Sequence, residues 1–240
     1  MNRYVEKKLK ERVLGLGFKV KGGDYFKPIN DKLFATLSFG SCSHPIRDRF
    51  YMEPFVGMCD TEVNRLSLQL TGRDLDPMYW TTHTNLEMIL KCPRKYVFIK
   101  DEDNEEMMNV LIEDIQKGGD MYWSKMTNPE NFFEDCKLHP KLAPILYYLR
   151  GEKEKGLQFM EDYVQRMSVP ETDEEIMKSW VVGKKENIVI IRPEEHPNMT
   201  WKDYLEIKKQ VPPGGCIVFP RKVGVDPSYL EFMKKYQELP

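Results

Sequence analysis

Lys32-Leu33-Phe34-Ala35-Thr36-Leu37-Ser38-Phe39 places Leu33, Ala35, Leu37 and Phe39 at alternate positions. Successive side chains of a strand point to opposite faces, so this spacing predicts a strand with one buried face. Upstream, Asn30-Asp31 has turn chemistry, residues 25–29 read as a second extended piece, and Gly22-Gly23 makes another turn. Before it, Phe18 and Val20 alternate with Lys19 and Lys21. Residues 2–16 change period: Val5, Leu9, Val13 and Leu16 recur at three- and four-residue spacing among Lys, Glu and Arg, and Gly17 can close the helix. Downstream, residues 50–58 read as a further strand with a break or edge position at Pro54. A helix followed by short hairpin-linked strands predicts an α+β fold built on an antiparallel sheet with flanking helices.

The next stretch is mixed. In residues 62–70, Val63, Leu66 and Leu70 fit a helix, while Leu66, Leu68 and Leu70 fit a strand. Residues 81–90 fit a strand or a short helix, and Tyr96-Val97-Phe98-Ile99 reads as a strand. A helix is predicted over 105–117, capped by Asp103 or Asn104 and stopped by Gly118-Gly119. The C-terminal half reads as helix-rich. Asn128-Pro129 opens one helix, 142–149 and 157–167 form a helical hairpin linked through 151–156, and 176–182 follows. Residues 188–191 and 216–219 are short strands flanking a helix over 201–210 capped by Thr200, and the last helix opens at Asp226-Pro227. The chain is read as one α+β domain over 1–240, or as a sheet-rich part, 1–125, followed by a helix-rich part, 126–240.

Composition narrows the function classes. The chain has 240 residues, 41% hydrophobic and 31% charged, which marks a folded globular protein. Its 36 basic and 38 acidic residues leave a net charge of -2, against the basic excess of a general nucleic-acid binder. The residual basic patch is 91–95. No apolar run approaches the length of a membrane span. The polar opening Met1-Asn2-Arg3-Tyr4-Val5-Glu6-Lys7-Lys8 lacks the apolar core of a signal peptide. Cys42, Cys59, Cys92, Cys136 and Cys216 are odd in number, widely spaced and without a CxxC pair. That pattern predicts free thiols in a reducing cytoplasm.

Two loops hold residue types that can carry chemistry. In Gly40-Ser41-Cys42-Ser43-His44-Pro45, an extended backbone sets Cys42 and His44 on one side, as a metal pair or a nucleophile with its base. In Arg192-Pro193-Glu194-Glu195-His196-Pro197, the carboxylates of Glu194 and Glu195 beside the His196 imidazole suit acid–base work or metal binding. Both also read as polar surface turns, and neither has an HExxH spacing. Asp101-Glu102-Asp103-Asn104-Glu105-Glu106 lacks the glycine and terminal glutamate of an EF-hand loop and reads as acids at a helix N-terminus. The paired aromatics Tyr79-Trp80, Tyr122-Trp123 and Tyr147-Tyr148 suit a contact surface or ordinary partial burial. No GxGxxG, P-loop or GxSxG pattern occurs, so no cofactor and no metal are expected.

The stretch 14–34, with its Leu14-Gly15-Leu16-Gly17-Phe18 step, and Phe50-Tyr51-Met52-Glu53-Pro54-Phe55-Val56-Gly57 after it, resembles a group of uncharacterised bacterial domains. Those domains open with a helix, a Gly-Phe step and an antiparallel meander. The resemblance covers the first quarter of the chain and implies an immunity-like or other protein-binding module, with no catalytic residues carried over. The expected function is therefore non-catalytic binding of another protein. The alternative is an enzyme or small-ligand binder whose pocket gathers distant loops such as those of Cys42–His44 and Glu194–His196.

Overall fold

The computed structural model describes residues 3–44, 46–92, 96–100, 102–137, 139–179, 188–192, 195–211, 216–221 and 223–240. Its backbone forms two compact units, Met1–Leu157 with Glu231–Pro240, and Gln158–Leu230. The 125/126 division read from the sequence falls at the end of a helix inside the first unit.

The first unit is an antiparallel sheet with helices around it. Helix α1 (Arg3–Gly15) precedes β1 (Lys19–Lys21), β2 (Asp24–Pro28), β3 (Leu33–Ser43) and β4 (Arg49–Asp60). These strands pair in order, with Ala35 opposite Met58 and Leu37 opposite Val56. All four of those side chains are buried, as the alternation in 33–39 requires. Next come α2 (Thr61–Thr71), β5 (Thr82–Asn85), α3 (Leu86–Leu90) and β6 (Tyr96–Ile99). Beyond β3, β4 has two short partners in tandem: its residues 55–58 pair with β5 and its residues 49–52 with β6. Pro54 falls between them, where, among the described residues, that flank of β4 has no partner. A proline, lacking an N–H, is tolerated there.

Both ambiguous stretches resolve through caps. Asp60 ends β4 and accepts the Glu62 and Val63 backbone N–H groups, so 62–70 becomes α2. Asn85 ends β5 and accepts from Glu87, so 81–90 is strand and then helix.

Helix α4 (Glu105–Met126) lies against β4 and β6. The stop expected at Gly118-Gly119 is wrong: the helix runs through both glycines for another two turns. A glycine inside a helix costs roughly 1 kcal/mol relative to alanine, so something must require it. A Cβ on Gly118 would collide with the Leu86 side chain of α3, and one on Gly119 with the Trp123 indole, which folds back over the preceding turn. The pair marks a close approach rather than a terminus. The acids before α4 also have a structural use, since Lys8 bridges Asp103 and Glu105 while Arg12 pairs with Glu105. These are exposed pairs and stabilise weakly.

The chain continues through α5 (Pro129–Cys136), α6 (Leu142–Leu149) and α7 (Lys153–Met167). Helix α7 begins four residues before the predicted 157 and takes in Gly156. A Cβ at Gly156 would meet the Tyr236 hydroxyl, which donates 2.9 Å to the Pro144 carbonyl. The second unit holds α8 (Asp173–Ser179), β7 (Ile188–Ile190), α9 (Trp201–Gln210) and β8 (Cys216–Val218), with α10 (Pro227–Gln237) following. Residues 180–182, read as the end of α8, lie outside the described residues. Strands β7 and β8 are parallel, Ile188 opposite Cys216. Among the described residues no helix is long and apolar enough to cross a membrane.

Candidate functional site

The Cys42 pair sits at the end of the β3–β4 hairpin. Cys42 is exposed, and a hydrogen bond to Glu53 raises its thiol above the ordinary value. That holds the thiol neutral, the reverse of what an activated nucleophile needs. His44 accepts the Ile46 backbone N–H at Nδ1 (2.9 Å), and its ring centre lies 4.6 Å from that of Tyr51. The imidazole is thus built into its own turn. Glu194 and Pro193 lie outside the described residues, as do residues 93–95 of the basic patch. Glu195 is exposed, its backbone N–H donating 3.0 Å to the Arg192 carbonyl. Cys42 and His44 belong to the first unit, and Glu195 and His196 to the second. Among the described residues no three His, Cys, Asp or Glu side chains gather as a metal-holding group.

His196 leads to a more extended arrangement. It lines a cleft of about 440 Å³ in the second unit with Ile191, Met199, Trp201, Tyr204 and Phe219. The local sequence explains the convergence. Ile191 follows the last residue of β7 and Phe219 the last residue of β8. Because the strands are parallel, both ends emerge on the same side of the pair. Helix α9 starts beside them, fixed by a capping box: the Thr200 hydroxyl receives the Asp203 N–H, and the Asp203 carboxylate takes the Thr200 backbone N–H at 2.8 Å. Those Thr200 contacts, backbone first, hold Asp203 below the usual carboxylate range.

The strand ends are clamped from behind. Arg192, next after Ile191, donates from Nη1 and Nη2 to the Glu171 carbonyl, both at 3.2 Å, and pairs with Asp173. The Arg221 backbone N–H donates 2.7 Å to the Glu171 carboxylate, and Arg221 Nη2 reaches the Val169 carbonyl at 3.3 Å. Two arginines just beyond the two cleft residues therefore anchor to one short segment.

On this base stands a ladder of rings. Trp201 and Tyr204 are 5.0 Å apart at 22°, and Tyr204 and Phe219 are 6.2 Å apart at 24°. Stacking of this kind usually accompanies burial, yet Trp201 is 71% exposed and Phe219 51%. Helix α9 has no buried residue at all, although Leu205 and Ile207 give it apolar positions.

No protein family, curated protein or solved structure matches this chain. The chemistry of the site must therefore be read from its own residues. Small-molecule pockets combine an apolar lining with several convergent polar groups. Here the Thr200 hydroxyl is committed to the cap and His196 is the main polar side chain remaining. A phosphate is disfavoured at the start of α9, where the Asp203 carboxylate already sits. The lysines of α9, Lys202, Lys208 and Lys209, are nearly matched by Asp203 and Glu206, so the ladder lacks the basic groove of a single-strand nucleic-acid platform.

The aromatics singled out in the sequence are placed elsewhere. Tyr122 and Trp123 are buried, Tyr79, Tyr147 and Tyr148 are half-buried, and Trp80 is exposed. Trp201, Tyr204 and Phe219 were not singled out. Thr200-Trp201 was read as a cap and a first turn, and Tyr204 meets Phe219 only because β7 and β8 pair.

Proposed function

We propose that this chain is a protein-binding module, acting in a reducing cytoplasm, that takes an extended apolar segment of a partner into the cleft of its second unit. The observation that supports this most is the ladder of Trp201, Tyr204 and Phe219, stacked and rigidly based yet largely open to solvent. Buried Trp and Tyr anchors dominate protein interfaces. The occupant follows from the neighbouring backbone. The β7–β8 sheet has only two strands among the described residues, so each has an edge without a strand partner there, and the residue after each strand, Ile191 and Phe219, lines the cleft. A partner strand added to that edge would satisfy its backbone groups and lay alternate side chains into the cleft. The immunity-like resemblance of the first quarter points to the same functional class.

Covering one such ring is worth about 1.5–3 kcal/mol, so its loss should weaken binding by roughly 10- to 100-fold. The test is selection of displayed linear peptides on the full chain, followed by titration of the winners against W201A and F219A. The expected result is enrichment of short sequences with alternating apolar residues, each variant binding at least tenfold more weakly. Winners that bind the variants and the parent equally would refute the assignment.

A further inference from the structure

The second unit carries another concavity, of about 270 Å³, next to the aromatic cleft. His196 and Met199 line both, so the two adjoin along the segment that leads into α9. The helix explains the arrangement. Trp201 and Tyr204, three residues apart, turn one face to the cleft. Asp203 and Ile207, four apart, turn the neighbouring face to the second hollow.

The chemistry changes from one hollow to the other. The described lining of the cleft holds no aspartate, glutamate, lysine or arginine. The lining of the second hollow adds one carboxylate, Asp203, and no lysine or arginine. Pro197, Met199 and Ile207 give it apolar surface beside that charge. Asp203 is only half committed to its helix. Both Thr200 donors, the backbone N–H at 2.8 Å and the hydroxyl at 2.7 Å, go to Oδ2. Among the described residues Oδ1 accepts no hydrogen bond and Asp203 makes no ion pair, while Lys209 of the same helix is taken by Glu206 at 2.7 Å. An uncharged aromatic cleft that continues into an apolar hollow ending in a single acid has the complementary pattern of an apolar segment with one basic side chain.

We infer that the partner segment carries a lysine or arginine on the same face as its apolar anchors, with the methylene stem laid over Met199 and Ile207 and the cation set against Asp203. This rests on the aromatic cleft being the seat of that segment, and it adds a charge requirement to it. Lysine and arginine are the side chains that lay a long apolar stem on a surface and end in a cation. A glutamate at the same place would face the Asp203 carboxylate, so the hollow also selects against acidic segments. Because Asp203 is exposed, the pair serves partner choice and register more than affinity.

The probe is a displayed library of linear peptides with apolar residues fixed at two alternate positions and the others randomised, selected on the full chain. Peptides that lose binding to W201A report on the cleft. Among these, lysine and arginine should be enriched, and glutamate depleted, at the next alternate position, which lies on the same face of a strand. Such a peptide should bind D203N about three- to fivefold more weakly, and the difference should vanish in about 1 M NaCl, where screening shortens to roughly 3 Å. Its glutamine version should lose the same factor on the parent and lose nothing further on D203N. Asparagine keeps an oxygen to accept the Thr200 N–H, so the cap of α9 survives the change. Peptides that depend on Trp201 yet show no basic preference, or that bind D203N like the parent, would overturn the charge requirement and leave the cleft standing. A library that yields no Trp201-dependent peptide would overturn both.

Discussion

Trp123→Ala should lower the unfolding free energy of the first unit by about 3–5 kcal/mol, the range for emptying a large aromatic site in a core. Trp123 is buried and ties the long helix to the sheet in two ways. Its Nε1 donates 2.9 Å to the Gly57 carbonyl of β4, and its ring lies 5.5 Å from Phe18, just before β1. The indole also fills the space that Gly119 leaves empty. The Gly57 end is equally tight, since a Cβ there would come within 2.6 Å of both Thr36 Oγ1 and the Thr82 carbonyl. Neither side can close over the void. Trp123→Phe keeps most of the apolar volume but leaves the Gly57 carbonyl without its donor, so it should cost about 1–3 kcal/mol. Urea unfolding should therefore rank the parent above Phe and Phe well above Ala, with an unchanged denaturant slope. An alanine variant within 1 kcal/mol of the parent would mean that α4 is not anchored through this ring.

Asn64→Ala should cost about 2–4 kcal/mol, because it removes no cavity-filling hydrocarbon of note but strands several polar groups together. The Tyr79 carbonyl loses its Asn64 donor and the Thr81 hydroxyl its 2.8 Å acceptor, while the Pro77 carbonyl loses one of its donors and keeps the Tyr79 backbone N–H at 3.0 Å. The Thr81 hydroxyl also accepts the Asp60 N–H at 2.8 Å, so the damage reaches the cap of α2. Asn64→Asp should be worse still, since a carboxylate would face two carbonyl oxygens. For a domain of this size the alanine change corresponds to a melting shift of roughly 5–15 °C. Thermal unfolding measures it. A shift below 2 °C for Ala, or a more stable Asp variant, would remove the Asn64 network as the support of the loop after α2.

The sheet was legible where burial is one-sided. Alternation at Leu33, Ala35, Leu37 and Phe39 and the extended reading of 50–58 both correspond to real strands, because a period of two allows few other structures. The α+β class with an antiparallel sheet and a helix-rich C-terminal half follows from those strands and from the helical spacing after residue 105. Errors came where a tertiary neighbour decides. Gly118-Gly119 has the composition of a helix stop, but Leu86 and Trp123 use the missing side chains. The linker at 151–156 partly joins α7, and Gly156 answers to Tyr236, eighty residues away in sequence. The short strand read at 188–191 forms as β7, half-buried as befits a two-stranded sheet. The cleft was half visible. His196 stood out by type, whereas the ring ladder depends on parallel pairing between strands separated by a whole helix, which no local period records.

Amide hydrogen exchange on the second unit, with and without a selected peptide, bears most directly on the proposed role. A strand added to the β7–β8 edge should slow exchange within 188–190 or 216–218 and leave the β3–β4 amides of the first unit unchanged. Saturating peptide that protects neither strand, or that protects W201A as well as the parent, would contradict it.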